Sequence, residues 1–166
     1  MAEENVVVRR ATPEDAEHIA KVLGSIVDEG KFTVLKKFSP EEERSYLQSL
    51  SDREAIFVAE SGGKIVGLQS IDSPYKYSDK MEHVAMIGTF VMDGFRGMGI
   101  GKRLAEATWS FAREKGYEKI VIAVLHDNER ALSFYEKLGF KRVGVHKRHA
   151  KLGGEYKDEV IMEFFL

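Results

Sequence analysis

FRGMGIGKR, residues 95–103, spaces three glycines at every second position and follows them with Lys102 and Arg103. Glycines in front of a helix turn several backbone N–H groups toward one point and so make an anion cradle. Two nucleotide patterns of that kind fail here. A Walker loop needs glycine where Arg96 stands and Ser or Thr where Arg103 stands. A dinucleotide fingerprint begun at Gly97 would need its last glycine at Lys102, and one begun at Gly99 would need it at Leu104. Lys102 and Arg103 fall in the first turn of the following helix, where a cation opposes the macrodipole by about 0.3–1 kcal/mol. A bound anion reverses that sign, and Arg96 approaches from the loop side with a guanidinium suited to pyrophosphate. No acidic side chain within the stretch balances the charge. The other reading of the same residues is a strand-to-helix turn that needs glycine only for positive φ, with its basic side chains solvated.

Outward from this cluster, strand and helix patterns alternate with no linker, repeat or low-complexity segment, which predicts one α/β domain over residues 1–166. VVVRR (6–10) reads as a first strand. Thr12 caps a helix with Pro13, Glu14 and Asp15 in its first turn and an apolar stripe of Ala16, Ile19, Ala20 and Leu23. Ser39, Pro40 and Glu42 mark the start of a second helix with a capping box, and the segment between the two, GSIVDEGKFTVLKKF, has no clean period and reads as a lid. AIFVAE (55–60) and KIVGLQSID (64–72) form a hairpin, and a long strand runs from about His83 to Met92. After the glycines come a helix from about Gly101 to Lys115, the apolar strand KIVIAVL (119–125), expected to be buried on both faces, and a helix from Glu129 to Leu138. Two last strands are joined by the turn LGGE (152–155).

Arg96-Gly97-Met98-Gly99-Ile100-Gly101, preceded by Phe90-Val91, resembles the signature of the GCN5-related N-acetyltransferases, and a second motif follows in order as Asn128-Glu129-Arg130-Ala131-Leu132-Ser133-Phe134-Tyr135 through Phe140. The likeness extends to the opening RRATPEDAEHIAKVL and the closing GEYKDEVIM. It implies an α/β (α+β) fold with a mixed, mostly antiparallel sheet of six or seven strands, a splayed central pair and about four flanking helices. The implied reaction moves acetyl from acetyl-CoA, as co-substrate, to a primary amine by direct attack, with no metal. The implied donor contacts are Phe90, Val91, Arg96, Gly97, Met98, Gly99, Ile100, Gly101, Lys102, Asn128 and Arg130.

An amine of pKa near 10 must lose a proton before it attacks, at about 4 kcal/mol near neutral pH, and the reaction then expels a thiolate. The family's tyrosine position falls on Tyr135, which makes it the general acid for that thiolate. Ala131, Phe134, Tyr135 and Leu138 also follow a helical stripe, so packing is the competing account of the same ring. Many relatives carry a carboxylate in the long central strand; here Met86 stands where it is expected, and the base is left among His83, Glu82, Asp72, Glu54 and a water relay. The sequence looks most like the small-molecule, amino-acid and ribosomal-protein N-terminal acetylating branches. The expected partners are therefore a small-molecule amine or a peptide N-terminus, with a homodimer left open. A coenzyme A-binding sensor without catalysis is the rival.

Composition narrows the rest. With 25 basic against 27 acidic residues the chain lacks the basic excess of a general nucleic-acid binder, and without cysteine it has no disulfide, thiolate nucleophile or thiolate-bound zinc. MAEENVVVRR opens with acids where a secretory signal carries bases, and no stretch approaches the roughly 20 apolar residues of a membrane span. The expectation is a cytoplasmic protein that binds neither nucleic acid nor membrane.

Overall fold

Two parallel neighbours, β4 (Val84–Val91) and β5 (Lys119–Leu125), pair only at Val84–Lys119, Ala85–Ile120 and Met86–Val121. Beyond Met86 they diverge, which opens a V in the middle of the sheet. The computed structural model that carries this geometry describes residues 5–166; the opening MAEE lies outside the described residues.

The other elements are β1 (Val7–Arg10), α1 (Ala16–Glu29), α2 (Pro40–Ser49), β2 (Ala55–Ser61), β3 (Lys64–Asp72), α3 (Ile100–Glu114), α4 (Glu129–Lys137), β6 (Lys141–Leu152) and β7 (Glu155–Phe165). The seven strands form one sheet in the order β1-β2-β3-β4-β5-β7-β6, antiparallel at every junction except β4–β5.

Local chemistry explains most boundaries. Thr12 opens a short 3-10 turn, Pro13–Asp15, whose Asp15 carboxylate accepts from the Thr12 N–H at 2.8 Å. The same carboxylate takes a two-pronged contact from Arg9, and these bonds outweigh its burial to hold the Asp15 acid below the ordinary range. At α2 the reciprocal box is complete, with the Ser39 N–H donating to Glu42 at 2.8 Å and the Glu42 N–H donating to the Ser39 hydroxyl at 3.1 Å. The segment read as lacking a period divides in two. Its first part continues α1 to Glu29, with Ile26 buried, and only after Gly30 at φ 71° does the chain leave the helix.

Two layers of core flank the sheet. Ile56, Val58, Leu68 and Phe90 pack with α1 and Leu47 on one face. Ile71, Ala85, Ile87, Ile120 and Ile122 pack with α3 and α4 residues on the other. The expectation that β5 is buried on both faces is corrected. Ile120, Ile122, Val124 and Leu125 are buried, but Ala123 is exposed and Val121 half-buried, because the core layer under α1 and α2 packs on β2 and β3 and includes no β5 residue.

One buried charge stands apart. Glu43 on α2 is 4% exposed and has no hydrogen-bond or ion-pair partner among the described residues; burial pushes its carboxyl above the usual range. A raised folded-state pKa contributes stability at low pH that is lost as pH rises through that value. Glu43→Gln is therefore expected to raise Tm by about 2–4 °C at pH 8. Thermal melts should show the gain shrinking toward pH 4, and an equal gain at both pH values would contradict the burial account.

Candidate functional site

The V between β4 and β5 continues into a cavity of about 550 Å³. The glycine loop forms one wall, with Gly97 at φ 76° and Gly99 at φ 78°, a region of backbone space that side chains oppose. Gly99 is the N-cap of α3, and the Arg103 N–H makes the first helical bond, to the Gly99 carbonyl at 3.1 Å. The N–H groups of Ile100, Gly101 and Lys102 precede that bond and face the end of the helix, the arrangement that receives an anion. Gly101 has a separate reason to lack a side chain. A Cβ there would lie 2.8 Å from the Phe134 ring, so glycine is what lets α3 and α4 close on one another beside the cavity.

Ten of the eleven residues expected to contact the donor line this cavity: Phe90, Val91, Arg96, Gly97, Gly99, Ile100, Gly101, Lys102, Asn128 and Arg130. Met98 does not; it is 58% exposed. Asn128 also serves as the cap of α4, accepting from the Ala131 N–H at 3.2 Å. Phe134 lines the cavity as well, as do Phe32, Thr89 and Lys137, which were not singled out from sequence. Phe32 and Thr89 carry no local pattern that would mark them, whereas Lys137 lies two positions beyond Tyr135 on α4.

Arg96 requires a correction. Its guanidinium does not point at the glycine loop unbalanced but forms a two-pronged pair with Glu29 at 2.8 and 2.6 Å, while its Nε donates to the Val91 carbonyl at 2.8 Å. It also lies over the Phe32 ring, 5.0 Å from the centroid. Arg96 thus ties the last turn of α1, where a cation suits the helix dipole, to the end of β4 and the loop. Lys102, Arg130 and Lys137 are the cavity's basic side chains without an acidic partner among the described residues.

Tyr135 reaches the V from α4. Its ring is 6% exposed, packed at 5.0 Å from Phe134 and 5.3 Å from Phe140, so the helical stripe and the site reading describe the same residue. Its hydroxyl donates to Thr89 Oγ1 at 2.7 Å. Burial pushes the phenol up to about 12, with the Thr89 contact acting in the opposite direction. It therefore remains a protonated donor at neutral pH.

The base candidates separate by position. His83 and Glu82 sit before β4, where the His83 carbonyl accepts from the Glu118 and Lys119 N–H groups, at the closed end of the V. Glu54 is neutralised by Lys76 at 2.8 Å and accepts from the Ser51 hydroxyl at 2.9 Å. Asp72 stands opposite Met86 in the β3–β4 register, at the last pair before the V opens. The Tyr46 hydroxyl of α2 donates to it at 2.6 Å, so the Asp72 carboxylate lies on the α1–α2 face, opposite the face from which Tyr135 enters. Burial raises the Asp72 acid above the usual carboxylate range. Among the described residues no group of three or more His, Cys, Asp or Glu side chains could hold a metal ion, and no helix is long and apolar enough to cross a membrane.

The family model described as "Acetyltransferase (GNAT) family" matches residues 23–140. Glucosamine 6-phosphate N-acetyltransferase of Trypanosoma brucei brucei is 35% identical over 98 residues, covering 58% of this chain and 63% of that protein. The N-alpha-acetyltransferase RimI of Mycobacterium tuberculosis is 35% identical over 101 residues, covering 58% of each. These alignments span less than two thirds of the relatives' own lengths. The structure of yncA from Salmonella typhimurium, solved with its cofactor acetyl-CoA, shares the fold at a TM-score of 0.89 and 18% identity, over 98% of this chain and 94% of that one.

If Arg96 is a structural tie, removing it leaves the mostly buried Glu29 carboxylate, 20% exposed, without a partner. Arg96→Met is expected to cost about 2–4 kcal/mol in urea unfolding, and the double variant Arg96→Met with Glu29→Met to regain most of it. A single variant of unchanged stability would return Arg96 to the list of free cations.

Proposed function

Because the chain belongs to the acetyltransferase (GNAT) family, we propose that it is a single N-acetyltransferase domain that moves acetyl from acetyl-CoA to the primary amine of a small molecule or amino acid. The observation that carries this reading is the V: β4 ends with one edge unpaired beyond Met86, directly beside the N–H groups of the glycine loop and the Tyr135 hydroxyl. An extended pantetheine arm suits an unpaired strand edge, which offers backbone N–H and C=O groups in the manner of strand addition. A pyrophosphate suits the first turn of α3, and Lys102, Arg130 and Lys137 supply positive charge around it. Phe90, Val91, Gly97, Gly99, Ile100, Gly101 and Asn128 complete that wall, while Arg96 acts by fixing the loop and Met98 contributes backbone alone.

The two faces of the V divide the chemistry. From the α4 face the Tyr135 hydroxyl donates its proton to the departing thiolate. From the α1–α2 face the acceptor amine enters, and Asp72 takes its proton. Asp72 stands three residues along the sheet from the Gln69–Thr89 pair, about 10 Å of strand, so the proton crosses by way of water. Its acid, raised by burial, makes the carboxylate a better proton acceptor than an ordinary aspartate. It also occupies the cross-strand place beside Met86, the position where relatives were expected to carry their carboxylate.

A peptide N-terminus is the second acceptor reading, favoured by the similarity to RimI, as the first is by the similarity to the glucosamine 6-phosphate enzyme. A sensor that only binds coenzyme A would have no use for a buried phenol hydroxyl held in a polar chain. Assay of thiol release across small amines, amino acids and short peptides decides among the three: no turnover above hydrolysis with any amine would remove the enzyme reading.

Tyr135→Phe is expected to lower kcat by roughly 100-fold or more while leaving acetyl-CoA affinity within about threefold. Equal losses in both would mark the ring as a packing residue. In the parent enzyme kcat/KM should fall as pH drops through the raised Asp72 pKa, because the base must be ionised. Asp72→Asn is expected to cost roughly 100-fold near pH 7.5 and to remove that acid limb; a limb that survives the substitution assigns the base elsewhere.

A further inference from the structure

The Tyr135 hydroxyl is one end of a three-residue chain. Thr89 Oγ1 accepts from it at 2.7 Å and accepts at 2.8 Å from Nε2 of Gln69 on β3. A hydroxyl has two acceptor lone pairs and one proton. With both lone pairs of Thr89 filled, its own proton is the one hydroxyl proton of the chain left to give, and Thr89 lines the cavity. Gln69 is fully buried, and its Oε1 has no hydrogen-bond partner. With Nε2 as the donor, the amide fills a lone pair of the Thr89 oxygen and leaves the Thr89 proton available.

We propose that Thr89, held by the Gln69 amide, is a positioning residue for Tyr135, donating its hydroxyl proton's hydrogen bond to the tyrosine oxygen as Tyr135 passes its own proton to the leaving thiolate. This rests on the reading of Tyr135 as general acid. The balance is simple. The carbon–sulfur bond breaks, the Tyr135 proton goes to sulfur, and the Thr89–Tyr135 hydrogen bond reverses direction. Thr89 keeps its proton covalently and keeps the Gln69 N–H on its oxygen. The phenolate then recovers a proton from water.

The reversal answers a difficulty of the site. A thiol has a pKa near 8.5, whereas burial sets the Tyr135 phenol far above that. Transfer from phenol to thiolate therefore runs uphill unless a donor meets the new phenolate. Among the described residues Thr89 is the hydroxyl placed to do so, since the rest of the Tyr135 surround is Phe134, Phe140 and aliphatic core.

Thr89→Val keeps the shape and removes the hydroxyl. Its kcat is expected to fall about tenfold, with coenzyme A and acetyl-CoA dissociation constants from calorimetry within about threefold of the parent, and Thr89→Ser to restore most of the rate. Gln69→Leu is expected to lower kcat in the same direction. In ligand-free protein the ring Cζ resonance of Tyr135, labelled with carbon-13, should shift in Thr89→Val and return in Thr89→Ser. The deciding measurement is the double variant: in a Tyr135→Phe background Thr89→Val should cost nothing further. A tenfold cost that persists there would overturn the relay and leave the acid assignment standing. Full turnover by Tyr135→Phe alone would instead remove the acid assignment, and the relay with it. Thermal melts of each variant separate either result from misfolding, and a rate loss in Thr89→Val that tracks its Tm and is not restored by serine counts against the proposal.

Discussion

β4 and β5 share three register pairs and then part, and the rest of the molecule is arranged around that parting. An unpaired strand edge inside a sheet is costly, because each backbone N–H and C=O wants a partner. Here the outer edges hold the two strands apart: β4 stays paired to β3 as far as Val91, and β5 stays paired to β7 as far as Leu125. Neither strand is free to swing back without breaking the other ladder. Phe90 helps to keep the gap shaped, since its ring lies over Gly88, where an added Cβ would come within 3.0 Å of it, and its carbonyl passes Gly67 at 3.1 Å by the same measure. Glycine at both places lets β4 approach its neighbours without a side chain in the way.

The parting also assigns roles to faces. Side chains alternate along a strand, so Thr89 and Ile87 face α3 and α4 while Met86, Gly88 and Phe90 face α1 and α2. Tyr135 therefore meets Thr89 from one side, and Tyr46 meets Asp72 from the other. The gap thus has a protonated phenol on one face of the sheet and a carboxylate on the other. Burial raises both acids, so the phenol remains protonated at neutral pH and the carboxylate accepts a proton more readily than an ordinary aspartate.

The fold was largely legible because its signals are local. Caps at Thr12, Ser39 and Asn128, the positive-φ glycines at 97, 99 and 139, and the alternation through residues 55–72 each specify an element within a few residues. The glycine wall of the cavity was legible for the same reason, since the loop and first turn of α3 lie in one run of sequence. Three things were not. The partly exposed face of β5 depends on where α1 and α2 pack rather than on KIVIAVL itself. Glu29 lies 67 residues before Arg96, and Gln69 lies 20 before Thr89, so neither pairing leaves a trace in either neighbourhood.

The Arg96 correction bears on how the anion site is charged. Read along the chain, FRGMGIGKR concentrates positive charge on the loop; in space, Glu29 cancels the arginine that stands nearest the glycines. A guanidinium already holding a carboxylate and a backbone carbonyl has its charge balanced and three of its five N–H donors committed. What it supplies is rigidity: the loop that presents the N–H groups is tied to the end of α1 and the end of β4 before any ligand arrives. Preorganised N–H groups lose little freedom on binding, so the loop can hold a diphosphate with neutral donors while Lys102, Arg130 and Lys137 contribute from its exposed rim. Charge on the rim is screened by salt and donors in the cradle are not, which makes the glycines the source of geometry and the solvated cations the source of attraction over distance.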